Sequence, residues 1–105
     1  MNDPEIGKRI ESTLERLGRR VEDLDRDDVE VEIVPGKVDI EMPDGKRLIL
    51  SRQSATNQIW LAEPGGGWRF DLHGEQWLCD KRGVELHANL QALLSAHCGT
   101  PISLV

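Results

Sequence analysis

The sequence predicts an α+β fold, a two-layer sandwich in which an N-terminal and a C-terminal helix pack on one face of an antiparallel sheet of five to six strands. Three observations lead there. Ile6, Ile10, Leu14, Leu17, Val21 and Leu24 step by three and four along one helical stripe. From Val29 to Leu86 the apolar period falls to two, the mark of half-buried strands. Leu86, Leu90, Leu93, Leu94 and His97 then restore helical spacing. With one apolar face per element, both helices share one side of the sheet and the other side is left open to solvent.

The first helix is expected over residues 4–24, opened by Asp3 as cap and Pro4 in the first turn. Gly18 is its weak position, costing up to about 1 kcal/mol relative to Ala. Val29, Val31 and Ile33, then Val38, Ile40 and Met42, alternate with charged neighbours as two strands, with turns at Pro35-Gly36 and Pro43-Asp44-Gly45. Further strands are expected near 47–53, 57–62, 67–72 and 76–80. Ser54-Ala55-Thr56, Pro64 with Gly65-Gly66-Gly67, and His73-Gly74 separate them, and a last turn falls at Lys81-Arg82-Gly83. Connections this short suit a meander, because parallel strands need long crossovers. Gly99 and Pro101 close the second helix, and the apolar tail Ile102-Ser103-Leu104-Val105 is expected to pack back on the body.

The chain has 105 residues, 38% hydrophobic and 30% charged, which suits a single domain spanning 1–105. A chain of this size must draw on nearly every apolar residue to make a core, so no large enclosed active-site cavity is expected. Asp+Glu 19 against Lys+Arg 13 argues against nucleic acid as a partner, since binding phosphates needs clustered cations. No apolar run approaches the ~18 residues of a membrane span, and the first residues are too acidic for a leader peptide, so a soluble cytoplasmic protein is expected. Cys79 and Cys98 lack CxxC spacing and are expected as reduced thiols.

The charge is unevenly placed. Glu22, Asp23, Asp25, Asp27, Asp28, Glu30 and Glu32 crowd residues 22–32 with one base, Arg26, and the rest of the chain balances twelve acids against twelve bases. Two carboxylates ~7 Å apart in water repel by roughly 0.6 kcal/mol before screening, so such crowding carries a modest folding cost that a cation would relieve. A solvated turn is the plain alternative. Glu11, Glu15 and Glu22 run along the first helix into this turn, making a continuous ridge, and Arg19 stands between Glu15 and Glu22.

On the open sheet face, alternation sends Ile49, Ser51, Gln53, Gln58, Trp60 and Arg69 outward if Leu48, Leu50, Ile59, Leu61, Trp68 and Phe70 point inward. A solvent-facing Trp among Gln, Ser and Arg is the mix enriched at protein-binding hot spots, although single exposed aromatics are common. Trp77 belongs to the core or its margin.

Leu50-Ser51-Arg52-Gln53, Gln58-Ile59-Trp60-Leu61-Ala62, Gly66-Gly67-Trp68-Arg69-Phe70-Asp71 and Trp77-Leu78-Cys79-Asp80 with Gly83, taken in order behind the acidic turn, resemble the bacterial frataxins over essentially the whole chain. The resemblance implies a helix–sheet–helix sandwich, weakly bound Fe(II)/Fe(III) on an acidic ridge, and a role in iron–sulfur cluster assembly. It carries the ridge onto Glu15, Glu22, Asp23, Asp25, Asp27, Asp28 and Glu30, and a partner contact onto Gln53, Gln58, Trp60 and Arg69. The partners it implies are a cysteine desulfurase and an iron–sulfur scaffold protein. Ser51 stands where the family usually has Asn, Arg69 where bacterial members often have His, and Arg19, Arg20 and Arg26 dilute the ridge.

Carboxylates suit iron because hard oxygen ligands bind Fe(III) and accept Fe(II). Ligands on an open ridge should exchange quickly, which favours handing metal onward. His73, His87 and His97 read as structural or surface residues, and neither cysteine has a neighbouring base that would mark a nucleophile. Gly65-Gly66-Gly67 links strands and opens no helix, so it makes no phosphate cradle. No enclosed carboxylate pair suggests acid–base catalysis. The leading reading is therefore a non-enzymatic iron carrier or iron-dependent regulator of the desulfurase, a monomer in the absence of iron. The competing readings are a ferroxidase or iron-storage protein that oligomerises with iron, and a metal-independent acidic interaction module steered to a basic partner.

Overall fold

The computed structural model describes residues 4–80 and 83–104. In chain order its elements are α1 (Pro4–Glu22), β1 (Glu30–Val34), β2 (Lys37–Glu41), β3 (Arg47–Gln53), β4 (Gln58–Glu63), β5 (Gly66–His73), β6 (Gln76–Cys79) and α2 (Leu86–Cys98). The six strands form one antiparallel sheet in the order β1-β2-β3-β4-β5-β6, the meander that the short connections predict.

Three of the hairpins are as tight as hairpins become. Val34 faces Lys37, Glu63 faces Gly66 and His73 faces Gln76, so Pro35-Gly36, Pro64-Gly65 and Gly74-Glu75 are two-residue loops. Two expected turns are thereby shortened. Gly66 and Gly67 enter β5, and His73 is its last residue. In the Pro64-Gly65 loop the Glu63 carboxylate accepts from the Gly65 N–H at 2.7 Å, which lets the chain reverse sooner than its glycine content suggests.

The core lies between the sheet and the two helices. Ile10, Leu14, Leu17 and Val21 of α1 and Leu86, Leu90 and Leu94 of α2 pack with Val38, Ile40, Leu48, Leu50, Ile59, Leu61 and Phe70 of the sheet, all buried. Trp77 joins them and donates its indole N–H to the buried Thr13 hydroxyl at 3.2 Å, which ties β6 to α1. The expected Trp68 is only half-buried, because its indole N–H reaches the Glu63 carboxylate at 2.9 Å near the end of the sheet. The Cα radius of gyration is 13.1 Å, the size a domain of this length should have.

Helix α1 ends at Glu22, two residues earlier than its apolar stripe predicts. Asp23 N–H still bonds Arg19 C=O at 2.8 Å, but Leu24 N–H turns to Val21 C=O at 3.2 Å and Asp25 adopts φ 51°, which no helix can continue through. Leu24 remains packed on the core from outside the helix, as do Val29 and Met42 from outside their strands. Gly18 proves to be a requirement of packing. A Cβ there would lie 2.7 Å from Ile33 Cγ1, so the absence of a side chain is what lets β1 approach α1. The predicted Asp3 cap, the Lys81-Arg82 part of the last turn, and Val105 lie outside the described residues.

Helix α2 starts on Glu85, whose side chain accepts from Ala88 N–H, and ends on Gly99 at φ 69°, the left-handed conformation that glycine adopts without steric cost. The tail does return to the body. Ile102 and Leu104 are buried, Ile102 N–H donates to Ser95 Oγ at 2.9 Å, and the Arg20 guanidinium donates to Leu104 C=O at 2.7 Å.

Candidate metal edge and partner face

The end of α1, the 23–29 turn and the start of β1 form one edge of the sandwich. Glu15, Glu22, Asp23, Asp25, Asp27, Asp28 and Glu30 are all exposed there. Their neighbours divide them. Arg19 stands 3.8 Å from Glu15 and 3.6 Å from Glu22, loose ion pairs in open solvent. Arg26 forks onto Asp28 with two hydrogen bonds of 3.0 and 2.9 Å, and this bonding holds the Asp28 carboxyl below its ordinary range. Asp23, Asp25 and Asp27 have no side-chain ion pair or hydrogen bond among the described residues.

Strand parity separates Glu30 from the helix. Val31 and Ile33 pack on the core, so Glu30 and Glu32 face the other side of the sheet, directly across from Glu41 and Asp39. Like charges opposite one another destabilise a ladder, and Arg47 offsets this by reaching Asp39 at 3.1 Å and Glu41 at 3.3 Å. A shallow hollow of about 250 Å³ brings Asp27, Asp28 and Glu30 together with Glu41, a residue that the charge run alone does not single out. Glu15 and Glu22 stand apart on α1. Among the described residues no three His, Cys, Asp or Glu side chains converge closely enough to form a ready-made metal cage. What this edge offers is a set of exposed carboxylate oxygens, hard donors of the kind that hard cations accept, with no enclosure to exclude water.

The outer sheet face is built differently. Trp60 pairs with Ser51 on one side and Arg69 on the other, and the Arg69 guanidinium lies over the Trp60 ring, 5.1 Å from its centroid. Trp60 Nε1–H donates to Gln58 Oε1 at 2.9 Å, and Gln58 Nε2 donates to Asp71 Oδ1 at 3.0 Å. Gln53, opposite Gln58, donates to the Ser51 hydroxyl at 3.3 Å. Gln53, Gln58, Trp60 and Arg69 thus share one patch, as alternation predicts. Beside it lies a hollow of about 450 Å³ whose lining includes Ile49, Ser51, Ala62 and Gly67. Asp71 escaped the sequence reading, although it lies two residues beyond Arg69 and the same alternation rule places it on that face.

The remaining candidates are structural. Glu85 meets His87 Nδ1 at 2.6 Å and Asp44 meets His97 Nδ1 at 2.7 Å, the second contact pinning the end of α2 to the β2–β3 turn. The hydrogen bond from His97, followed by one from the Lys46 N–H, holds the Asp44 carboxyl below its ordinary range. Cys79 is buried, Cys98 is half-buried, and both are free. Burial pushes the Cys98 thiol up, away from the thiolate a nucleophile needs. No helix among the described residues is long and apolar enough to cross a membrane.

Comparison with known proteins is consistent across sequence and structure. A family model described as a Frataxin-like domain matches residues 1–100. The iron-sulfur cluster assembly protein CyaY of Thioalkalivibrio sulfidiphilus is 40% identical over 107 residues, covering 99% of this chain and 100% of its own. Frataxin from Psychromonas ingrahamii superposes with a TM-score of 0.90 at 23% identity, over 100% of this chain and 99% of its own, a likeness of fold. Trimeric frataxin from the yeast Saccharomyces cerevisiae, complexed with ferrous, superposes with a TM-score of 0.77 at 27% identity over 87% of this chain and 86% of its own.

Proposed function

The chain belongs to the frataxin-like family, and from that premise we propose that it is a non-enzymatic iron-binding protein of iron–sulfur cluster assembly. It carries ferrous iron as cargo on Glu15, Glu22, Asp23, Asp25, Asp27, Asp28 and Glu30, and docks on a cytoplasmic cysteine desulfurase and its scaffold protein to tune sulfur delivery. Gln53, Gln58, Trp60 and Arg69 make the sheet-side contact. The observation that carries this reading is that residues 22–32, which hold the whole net charge of the chain, set most of their acids on one exposed edge, where Asp23, Asp25 and Asp27 are uncompensated among the described residues. A fold that tolerates such repulsion is relieved when a cation or a basic partner surface arrives.

The reading is tested by titrating Fe(II) or Mn(II) into isotope-labelled protein and by adding the protein to a desulfurase assay with and without Fe(II). Broadening confined to the ridge and to Glu41, with an iron-dependent change in desulfurase rate, is the expected result. Unselective broadening with no effect on rate overturns it. Fe(II) oxidation faster than in buffer, with iron-dependent oligomers, would instead support a ferroxidase or storage role. Partner binding that weakens with salt but ignores metal would support a plain interaction module.

A further inference from the structure

We propose that Asp71 is a positioning residue of the partner face, fixing the orientation of the Gln58 amide and, through it, the ring of Trp60. The proposal rests on the reading of that face as a protein contact and adds a residue outside it. Gln58 and Asp71 sit one position beyond the Ile59–Phe70 pair, so their side chains emerge side by side. An ionised carboxylate only accepts hydrogen bonds and an indole N–H only donates. Between them a glutamine amide has one satisfactory orientation, with Nε2 toward Asp71 at 3.0 Å and Oε1 toward Trp60 at 2.9 Å. Rotating the amide by half a turn would set oxygen against carboxylate and N–H against N–H. The charge on Asp71 therefore selects the polarity of the whole relay.

The consequence falls on Trp60. Its edge is held by Gln58 and its face is covered by Arg69 at 5.1 Å, so the ring is restrained before any partner arrives. A large aromatic ring that is already ordered loses less rotamer freedom on binding, an effect worth about threefold to tenfold in affinity. Asp71 contributes this without touching the partner.

The test uses the full chain, labelled with ¹⁵N, and follows the three indole N–H resonances, with the Trp60 signal identified in a Trp60→Phe variant. Asp71→Leu should move the Trp60 indole resonance and speed its exchange with solvent. The Trp68 and Trp77 resonances, bonded to Glu63 and Thr13, should hold. Gln58→Met should reproduce the change, and Asp71→Leu on top of Gln58→Met should add nothing. Asp71→Asn, which preserves shape but can both donate and accept, should give an intermediate resonance and so rescue part of the effect. Affinity for the purified desulfurase–scaffold complex should fall about threefold to tenfold in Asp71→Leu. An unmoved Trp60 resonance, equal movement of all three, or additive effects of the two variants overturns the proposal. So does unchanged affinity in Asp71→Leu where Trp60→Arg abolishes binding. If Trp60→Arg also binds normally, the partner-face reading fails, and the indole resonances still decide whether the relay exists.

Discussion

The acidic edge and the outer sheet face both lie at the surface and both carry polar side chains, yet they are organised on opposite principles. On the sheet face each polar group of the Trp60 patch has a specific neighbour, from Asp71 through Gln58 to Trp60 and Arg69. On the edge, Arg19 and Arg26 engage Glu15, Glu22 and Asp28, while Asp23, Asp25 and Asp27 stay uncompensated among the described residues. A surface ordered in advance suits a protein contact, where lost rotamer freedom limits affinity. A surface of like charges held apart suits an ion that must be taken up and released, because each new ligand bond relieves repulsion and water replaces it readily. The two surfaces meet near Glu30 and Glu41, where the acids of the edge pass onto the face.

The largest effect that would separate the two surfaces is expected from Trp60→Arg. It places a second cation beside Arg69 and removes the ring, so partner affinity should fall about tenfold or more by calorimetry while metal affinity is unchanged. The melting temperature should move by less than about 3 °C, since the side chain is outside the core. A collapse of thermal stability would instead mean that the ring supports the fold.

Next in size is the combined change of Asp23, Asp25 and Asp27 to Asn. Asn tolerates the left-handed conformation found at Asp25, so the turn should survive. Affinity for Mn(II) or Fe(II) should drop about tenfold and the metal-free melting temperature should rise by about 2–5 °C as repulsion is removed. A lower melting temperature with unchanged metal binding contradicts the account of the edge.

A smaller change is expected from Arg26→Gln, which frees Asp28 and deepens the negative potential. Metal affinity should rise about twofold to threefold in a Mn(II) titration at low salt, and the gain should shrink at high salt. Loss of affinity would mean that Arg26 orders the turn for binding and does not compete with the metal.

The smallest effect concerns pH. The Asp44 carboxyl is held below its ordinary range, first by the His97 hydrogen bond. A group depressed in the folded state contributes stability that is present above its unfolded pKa and is lost as pH falls through the folded one. Denaturant midpoints measured from neutrality downward should therefore fall less steeply at the acid end in Asp44→Asn than in the unaltered chain. Both surfaces should stay intact in this variant, and a change at either would tie the α2 clasp to binding.

Much of this molecule was legible in its residues. The three- and four-residue apolar steps of α1, the alternation from Val38 to Phe70 and the helical return at Leu86 depend on local periodicity, which the fold preserves. The same alternation placed Gln53, Gln58, Trp60 and Arg69 on one face, and simple charge counting located the acidic edge. Boundaries were less legible. The stripe through Leu24 outran α1 because an apolar residue can pack on the core from a turn as well as from a helix, and Asp25 ends the helix by its backbone angle.

Contacts between residues distant in sequence were decided by tertiary structure alone. Gly18 looks like a weak helix position until β1 places Ile33 against it, and His97 looks idle until the β2–β3 turn brings Asp44 to 2.7 Å. Strand register set Glu41 beside Glu30 and Asp71 beside Gln58, so that one charge run divides between two surfaces. Periodicity states which way a side chain points, since that follows from the geometry of its own strand or helix. Which partner it then meets depends on where other elements come to rest, a property of the packed chain as a whole.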